Sequence, residues 1–118
     1  MRFFILEDMD IRIVAFKKWY GEQHELVIAK NATEAIDILS KDLNFDVLFL
    51  DHDLGDRIFV STKDENTGST VAQFLEGKDI RGEIIIHSWN SVGAKNMLSY
   101  LPQAKYIPIS SREAFGIE

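Results

Sequence analysis

The sequence predicts an α/β fold: one domain over residues 1–118, built on a five-stranded parallel sheet with helices on both faces. Three observations carry this. Short apolar runs alternate with segments of helical spacing in the order βαβαβαβαβ, the pattern of a parallel sheet joined by crossover helices. The central runs are apolar almost throughout, as in strands covered on both faces. A length of 118 residues, 46% of them hydrophobic, suits one core of ordinary size.

The elements follow in order. Residues 2–6, RFFIL, form a buried strand that ends in an acidic loop at Glu7 and Asp8. Residues 10–20 place Ile11, Val14, Ala15 and Trp19 near helical spacing, with Asp10 as N-cap and Gly21 as stop. Residues 25–29, ELVIA, are a second strand. Asn31 with Glu34 three residues on is close to a capping box, and Ala32, Ala35, Ile36 and Leu39 follow on one face, so a helix is expected over 32–42. Residues 45–50 are the third strand, running directly into Asp51-His52-Asp53 and Gly55.

Residues 55–66, GDRIFVSTKDEN, are polar and irregular, with a weak apolar centre at Ile58, Phe59 and Val60. Loops of this length in compact domains are uncommon and often functional. A third helix starts at Thr67-Gly68, carries Val71, Ala72, Phe74 and Leu75, and ends by Gly77. Residues 84–86 are the fourth strand, leading into His87-Ser88-Trp89-Asn90. The fourth helix holds Val92, Ala94, Met97, Leu98 and Leu101, and Pro102 stops it. Residues 105–109 are the fifth strand. The nine residues that remain are too few for a full-length closing helix.

Composition narrows the function. A net charge of −6 argues against broad nucleic-acid or anionic-membrane binding, but it leaves room for a small phosphate substrate offset by a metal or a local cation. With no cysteine there is no disulfide framework and no thiolate metal site. No apolar run approaches a membrane span, and the first residues lack a signal-peptide layout, so a soluble cytoplasmic protein is expected.

Open parallel sheets bind ligands beyond the carboxyl ends of their strands, at the switch point of the strand order. In the order 2-1-3-4-5 that point lies between strands one and three. Glu7 and Asp8 end the first; Asp51 and Asp53 flank His52 at the end of the third. Four clustered carboxylates repel, and a divalent cation relieves the repulsion; oxygen donors suit Mg²⁺ or Mn²⁺. Any one of these Asp residues also suits a helix cap. Asp8 and Asp51 together, ending neighbouring strands, favour a metal site. Asp53 serves equally as a further ligand or as the pivot of an Asx turn.

The chain resembles the receiver domains of response regulators (CheY-like, of flavodoxin-like order) over nearly all of its length, with the last helix truncated. The resemblance rests on the Glu7-Asp8 pair, the run NATEAIDIL in the second helix, Asp51 at the phosphoacceptor place, Thr67-Gly68 opening the third helix, and His87-Ser88 ending the fourth strand. It implies that Glu7, Asp8 and Asp51 hold a metal and that Ser88 contacts a phosphoryl oxygen. Receivers carry a Lys at the end of strand five; here that segment reads Tyr106-Ile107-Pro108-Ile109-Ser110, and Lys105 lies at the other end. Arg57 and Lys63 in the long loop are the nearest substitutes. The strings DHDLG and HSWN resemble a divergent branch, the cyclic-phosphate processing receiver domains. That resemblance implies metal-dependent phosphoesterase action on cyclic phosphates or cyclic nucleotides.

Such chemistry needs an activated water, charge stabilisation at phosphorus and a proton for the leaving alkoxide. His87 is the expected acid, and His52 the expected base or a metal ligand. Each histidine also has a plain reading, His87 as a satisfied core histidine and His52 as a cap or solvated side chain. Asn90 reads as a cap of the fourth helix or a phosphate donor. Trp89 reads as a platform for a base or as cover for the core. His24 lies in a polar turn and has no functional reading. The alternative function is a degenerate receiver that docks a protein partner, with or without phosphorylation at Asp51. An Asp-x-Asp after an apolar strand also occurs in haloacid-dehalogenase-type phosphatases, but after the first strand of a larger domain.

Overall fold

The computed structural model describes residues 1–55, 57 and 60–117. The elements are β1 (Arg2–Leu6), α1 (Asp10–Tyr20), β2 (Glu25–Ala29), α2 (Ala32–Lys41), β3 (Val47–Leu50), α3 (Gly68–Leu75), β4 (Glu83–Ile86), α4 (Ser91–Tyr100) and β5 (Lys105–Tyr106), followed by a 3₁₀ turn at Glu113–Phe115. The five strands are parallel in the order β2-β1-β3-β4-β5, as the alternating pattern predicts. Ile58 and Phe59, two of the three residues of the expected apolar centre in the long loop, lie outside the described residues; Val60 is buried.

Alternation along each strand sends side chains to two cores. Phe4, Leu6, Leu48, Leu50, Ile84 and Ile86 meet the buried residues of α2, α3 and α4 on one face. Phe3, Ile5, Val47, Phe49 and Ile85 meet Phe16 and Tyr20 of α1 on the other. The capping expectation at α2 holds: the Glu34 backbone N–H donates to the Asn31 side chain at 2.7 Å. In α4 the Gly93 N–H likewise donates to Asn90 Oδ1 at 3.0 Å.

Three expectations need correction. In α1 the buried stripe is Ile13, Phe16 and Tyr20, whereas Ile11 is 75% and Val14 62% exposed. The two stripes have similar spacing, and the one with the larger rings wins because it buries more apolar area. The N-cap is Met9 rather than Asp10, with no side-chain cap bond. The fifth strand is only two residues long. Beyond it, Ile107 and Ile109 donate to the consecutive carbonyls of Ile86 and His87, a slip of one residue from a regular ladder, and Pro108 between them has no N–H.

The short C-terminal turn adds one ring to the core under α1. Phe115 is buried, with its centroid 5.0 Å from that of Phe49 and 6.1 Å from that of Phe16. Phe115→Ala should cost about 3–5 kcal/mol of stability, the usual range for emptying a buried aromatic site. Urea unfolding measures it; a loss under 1 kcal/mol would mean the C-terminal segment does not seal this core.

Candidate metal centre

Strand register builds the site. Leu6 pairs with Leu50, and Leu50 with Ile86, so the next residues, Glu7, Asp51 and His87, form one row across three adjacent strands. The backbone bonds continue that row: Asp51 N donates to Leu6 O at 3.1 Å and His87 N to Leu50 O at 3.0 Å. The row sits one step beyond Ile5, Phe49 and Ile85, on the sheet face that α1 covers. All three residues are buried, and one ligand atom from each lies within 4.8 Å of the others. This is the group of metal-ligating side chains found among the described residues.

The contacts within the row are specific. His87 Nε2 lies 3.0 Å from Glu7 Oε1. Its other ring nitrogen, Nδ1, is buried with no partner. Glu7 Oε2 accepts the backbone N–H groups of Asp8 and Met9 at 3.1 and 3.2 Å. Asp51 Oδ1 accepts from the His52 backbone N–H at 2.9 Å. Arg12 Nη1 stands 3.6 Å from Glu7 Oε1 and 3.7 Å from Asp51 Oδ2, bridging both carboxylates.

These surroundings set the two carboxylates apart. Burial pushes Glu7 up, but the hydrogen bond and charge of His87, the Met9 amide and Arg12 outweigh it, and Glu7 ends below its ordinary value. Asp51 goes the other way. Burial is its largest influence, Glu7 adds repulsion, and His87, Arg12 and the His52 amide offset only part, so it is pushed up to about 7. Asp51 therefore lacks compensating positive charge. Two buried carboxylates, Asp51 with that deficit, beside an imidazole, fit a hard divalent cation.

A cleft of about 200 Å³ opens over the row. Its walls include Glu7, Asp8, Arg12, Asp51, Asp53 and Ser88. The four carboxylates and Ser88 expected from the sequence therefore meet at one cleft, although only Glu7 and Asp51 belong to the buried ligand group. His87 reaches that group from behind, and neither His87 nor His52 lines the cleft. His52 is turned to the opposite side from Asp51, beneath α4. Its Nδ1 lies 2.9 Å from Asp53 Oδ1, and its Nε2 is buried without a partner.

Asn90 locks this side of the site. Its Nδ2 donates to Asp53 Oδ1 at 3.0 Å and to the Val60 carbonyl at 3.2 Å, while its Oδ1 caps α4. The capping reading of Asn90 is thus realised, and Asp53 Oδ1 also accepts from the Val60 backbone N–H, seven residues on, at 3.1 Å, a longer reach than an Asx turn. The His52 ring packs on Gly93 so closely that a Cβ there would sit 2.4 Å from His52 Cγ. Gly93→Ala should destabilise by about 1–3 kcal/mol through overpacking. The double variant Gly93→Ala/His52→Ala should cost less than the sum of its singles; strict additivity in thermal unfolding would show that the two do not press on each other.

Sequence reasoning overlooked Arg12. A cation in the first turn of a helix opposes the positive end of the helix dipole, and that was the available signal. Of the two substitutes expected for the missing lysine, Arg57 lines the cleft and pairs with Asp64 at 2.8 Å. Lys63 lines a separate groove between α2 and α3. Lys105 pairs with Glu83 at 2.6 Å.

The sheet order and the acidic row at the carboxyl ends of β1 and β3 define a response-regulator receiver fold. Receiver structures align closely: that of Clostridium thermocellum at TM-score 0.71 and 14% identity, covering 97% of this chain and 86% of that one; and that of Methylobacillus flagellatus at TM-score 0.70 and 15%, covering 98% and 92%. The response regulator TrrA of Thermotoga maritima, solved with Mg²⁺ and BeF, aligns at TM-score 0.68 and 23% identity over 92% and 86%. A search of curated proteins finds no match. The chain belongs to the family described as the cyclic-phosphate processing receiver domain, whose model matches residues 4–103. No helix among the described residues is long and apolar enough to cross a membrane.

Proposed function

We propose that this chain is a metal-dependent phosphoesterase that opens cyclic phosphates or cyclic nucleotides. The observation that carries the reading is the buried row Glu7, Asp51 and His87, whose two carboxylates line a cleft that also presents Arg12 and Ser88. Mg²⁺ or Mn²⁺ suits the oxygen-rich donors, with Asp8 and Asp53 beside the row as additional carboxylates. TrrA, a protein of the same fold, was solved with Mg²⁺. When bound, the cation supplies charge stabilisation and an acidified water.

The chain's own residues do the rest. Arg12, held by two carboxylates, faces the cleft and offers its remaining N–H groups to a phosphoryl oxygen. Ser88 Oγ accepts from the Asn90 amide at 3.0 Å, which leaves its hydroxyl proton for another phosphoryl oxygen. Ring opening forms one P–O bond from water and breaks one P–O bond to the sugar, and the water's proton ends on the leaving alkoxide. His87 is the acid in this reading and acts through Glu7, since Glu7 rather than His87 faces the cleft. His52 holds Asp53 in place.

A second reading is a signalling or protein-binding receiver, phosphorylated at Asp51. It is favoured by the position of Asp51 at the carboxyl end of the central strand, opening on the cleft. Against it, the cations lining that cleft are Arg12 and Arg57, with no lysine among the described residues.

Hydrolysis of 2′,3′-cyclic AMP with Mg²⁺ or Mn²⁺ tests the first reading. Monoester release is expected, falling about 10²-fold or more in His87→Ala, the usual worth of acid–base help. No turnover with either metal, together with an acetyl-phosphate adduct at Asp51 in intact mass, would replace it with the second.

A further inference from the structure

The cleft's rim differs in chemistry from its floor. Trp89 lines it and is 59% exposed, and Met9 lines it and is 38% exposed. Large exposed indoles are uncommon on surfaces that contact only water. The chain on either side of Trp89 is anchored. Its neighbours Ser88 and Asn90 are buried and bonded to each other, and the Asn90 side chain is tied to Asp53, Val60 and α4. The backbone on both sides of the indole is fixed, so placing the ring at the cleft edge needs no backbone ordering when a ligand arrives.

Topology sets the spacing of the two rim residues. Met9 follows β1 and Trp89 follows β4, and β3 lies between those strands. Their backbones therefore stand roughly two strand spacings apart, on the order of 10 Å, on either side of Asp51. A flat ring entering between them meets an indole face on one side and an adaptable thioether on the other. The floor below carries Arg12 and the carboxylate row, which suits a metal-bound phosphate.

We infer that the Trp89–Met9 rim is a base subsite, and that the cleft's ligand is a nucleoside phosphate rather than a base-free sugar phosphate. The inference rests on the reading of the floor as a phosphate site and adds the ligand's second half. The phosphate sits over the floor, and the purine or pyrimidine stacks on Trp89. Trp89 is thus a specificity-determining residue, with no part in bond breaking.

Calorimetric titration of the Mg²⁺-loaded chain with two monoesters tests this. Adenosine 3′-monophosphate and the matching methyl ribofuranoside 3-phosphate differ only in the base. The nucleotide should bind about 5- to 100-fold more tightly, the range of one base-stacking contact. That gap should shrink to within about 2-fold in Trp89→Ala and largely persist in Trp89→Phe. The exposed position of Trp89 keeps both variants folded. Equal affinities in the unaltered chain, an undiminished gap in Trp89→Ala, or no binding of either ester at millimolar concentration would each overturn the base subsite. The phosphoesterase reading fails separately. If cyclic esters with and without a base are opened equally well, that reading stands and the subsite falls. If the nucleotide binds through Trp89 and no cyclic ester is opened, the subsite stands alone.

Discussion

Asp51→Asn is expected to raise the thermal midpoint of the metal-free protein at pH 8 while abolishing its divalent-metal binding and its turnover. The two effects share one cause. Asp51 is 2% exposed, and its carboxyl is pushed up from 3.8 to about 7, chiefly by burial. Because the folded value lies above the unfolded one, the neutral form is favoured by folding. Asp51 leaves stability intact below about pH 4, and stability falls as pH rises from there through about 7. At about 1.4 kcal/mol per unit, the ionised form costs on the order of 4 kcal/mol at pH 8, as an upper bound. Asn keeps the acceptor for the His52 amide and removes the charge, so a rise of roughly 5–15 °C in EDTA is expected. With saturating Mg²⁺ the order reverses, since only the unaltered chain gains stability from the ion by mass action. An Asp51→Asn variant that melts lower in EDTA at pH 8 would show that the carboxylate is already compensated without a metal.

His87→Ala should destabilise the metal-free protein by about 3–5 kcal/mol, the cost of breaking a buried pair from one side. Glu7 would keep the Asp8 and Met9 amides and Arg12, but it would lose its contact with His87 at 3.0 Å. The emptied space beside Phe16 and Phe49 adds to the loss. Glu7→Gln in the same chain removes the stranded charge and should restore part of that stability. A double-mutant cycle in urea reads the coupling, and additive single effects would deny that the pair acts as a unit. The sign for Glu7 is opposite to that for Asp51. Its value is lowered, so its contribution is present above its ordinary 4.5 and is lost as pH falls through the folded value. The two pH windows therefore lie largely on either side of pH 4.5.

Much of this was legible in the sequence. Runs such as RFFIL and VLFL, broken by helices of which α2 and α4 carry Asn caps, specify the sheet because alternation and capping are local physics. The meeting of Glu7-Asp8 with Asp51-His52-Asp53 followed from strand order. The register did not. Which of Glu7 and Asp8 stands beside Asp51 depends on a one-residue choice, and the pairing Leu6–Leu50–Ile86 selects Glu7, with His87 as its other neighbour. The α1 face is not decided by spacing, because Ile11-Val14 and Ile13-Phe16-Tyr20 are both helical stripes, and only packing against the sheet and the C-terminal turn distinguishes them. Arg12 was missed for the same reason: turning the helix by one residue decides whether it faces solvent or the carboxylates. The burial of His52 depends on Gly93, forty-one positions away in sequence, having no side chain.

Manganese soaked into crystals of the unaltered chain, located by its anomalous scattering, bears most directly on the central claim that one cation joins the ends of β1 and β3. A single strong peak in the cleft over Asp51 and the β1 carboxylates is the expected result, absent in Asp51→Asn. A cleft without that peak at saturating manganese, or an ion bound only elsewhere on the chain, would contradict the claim.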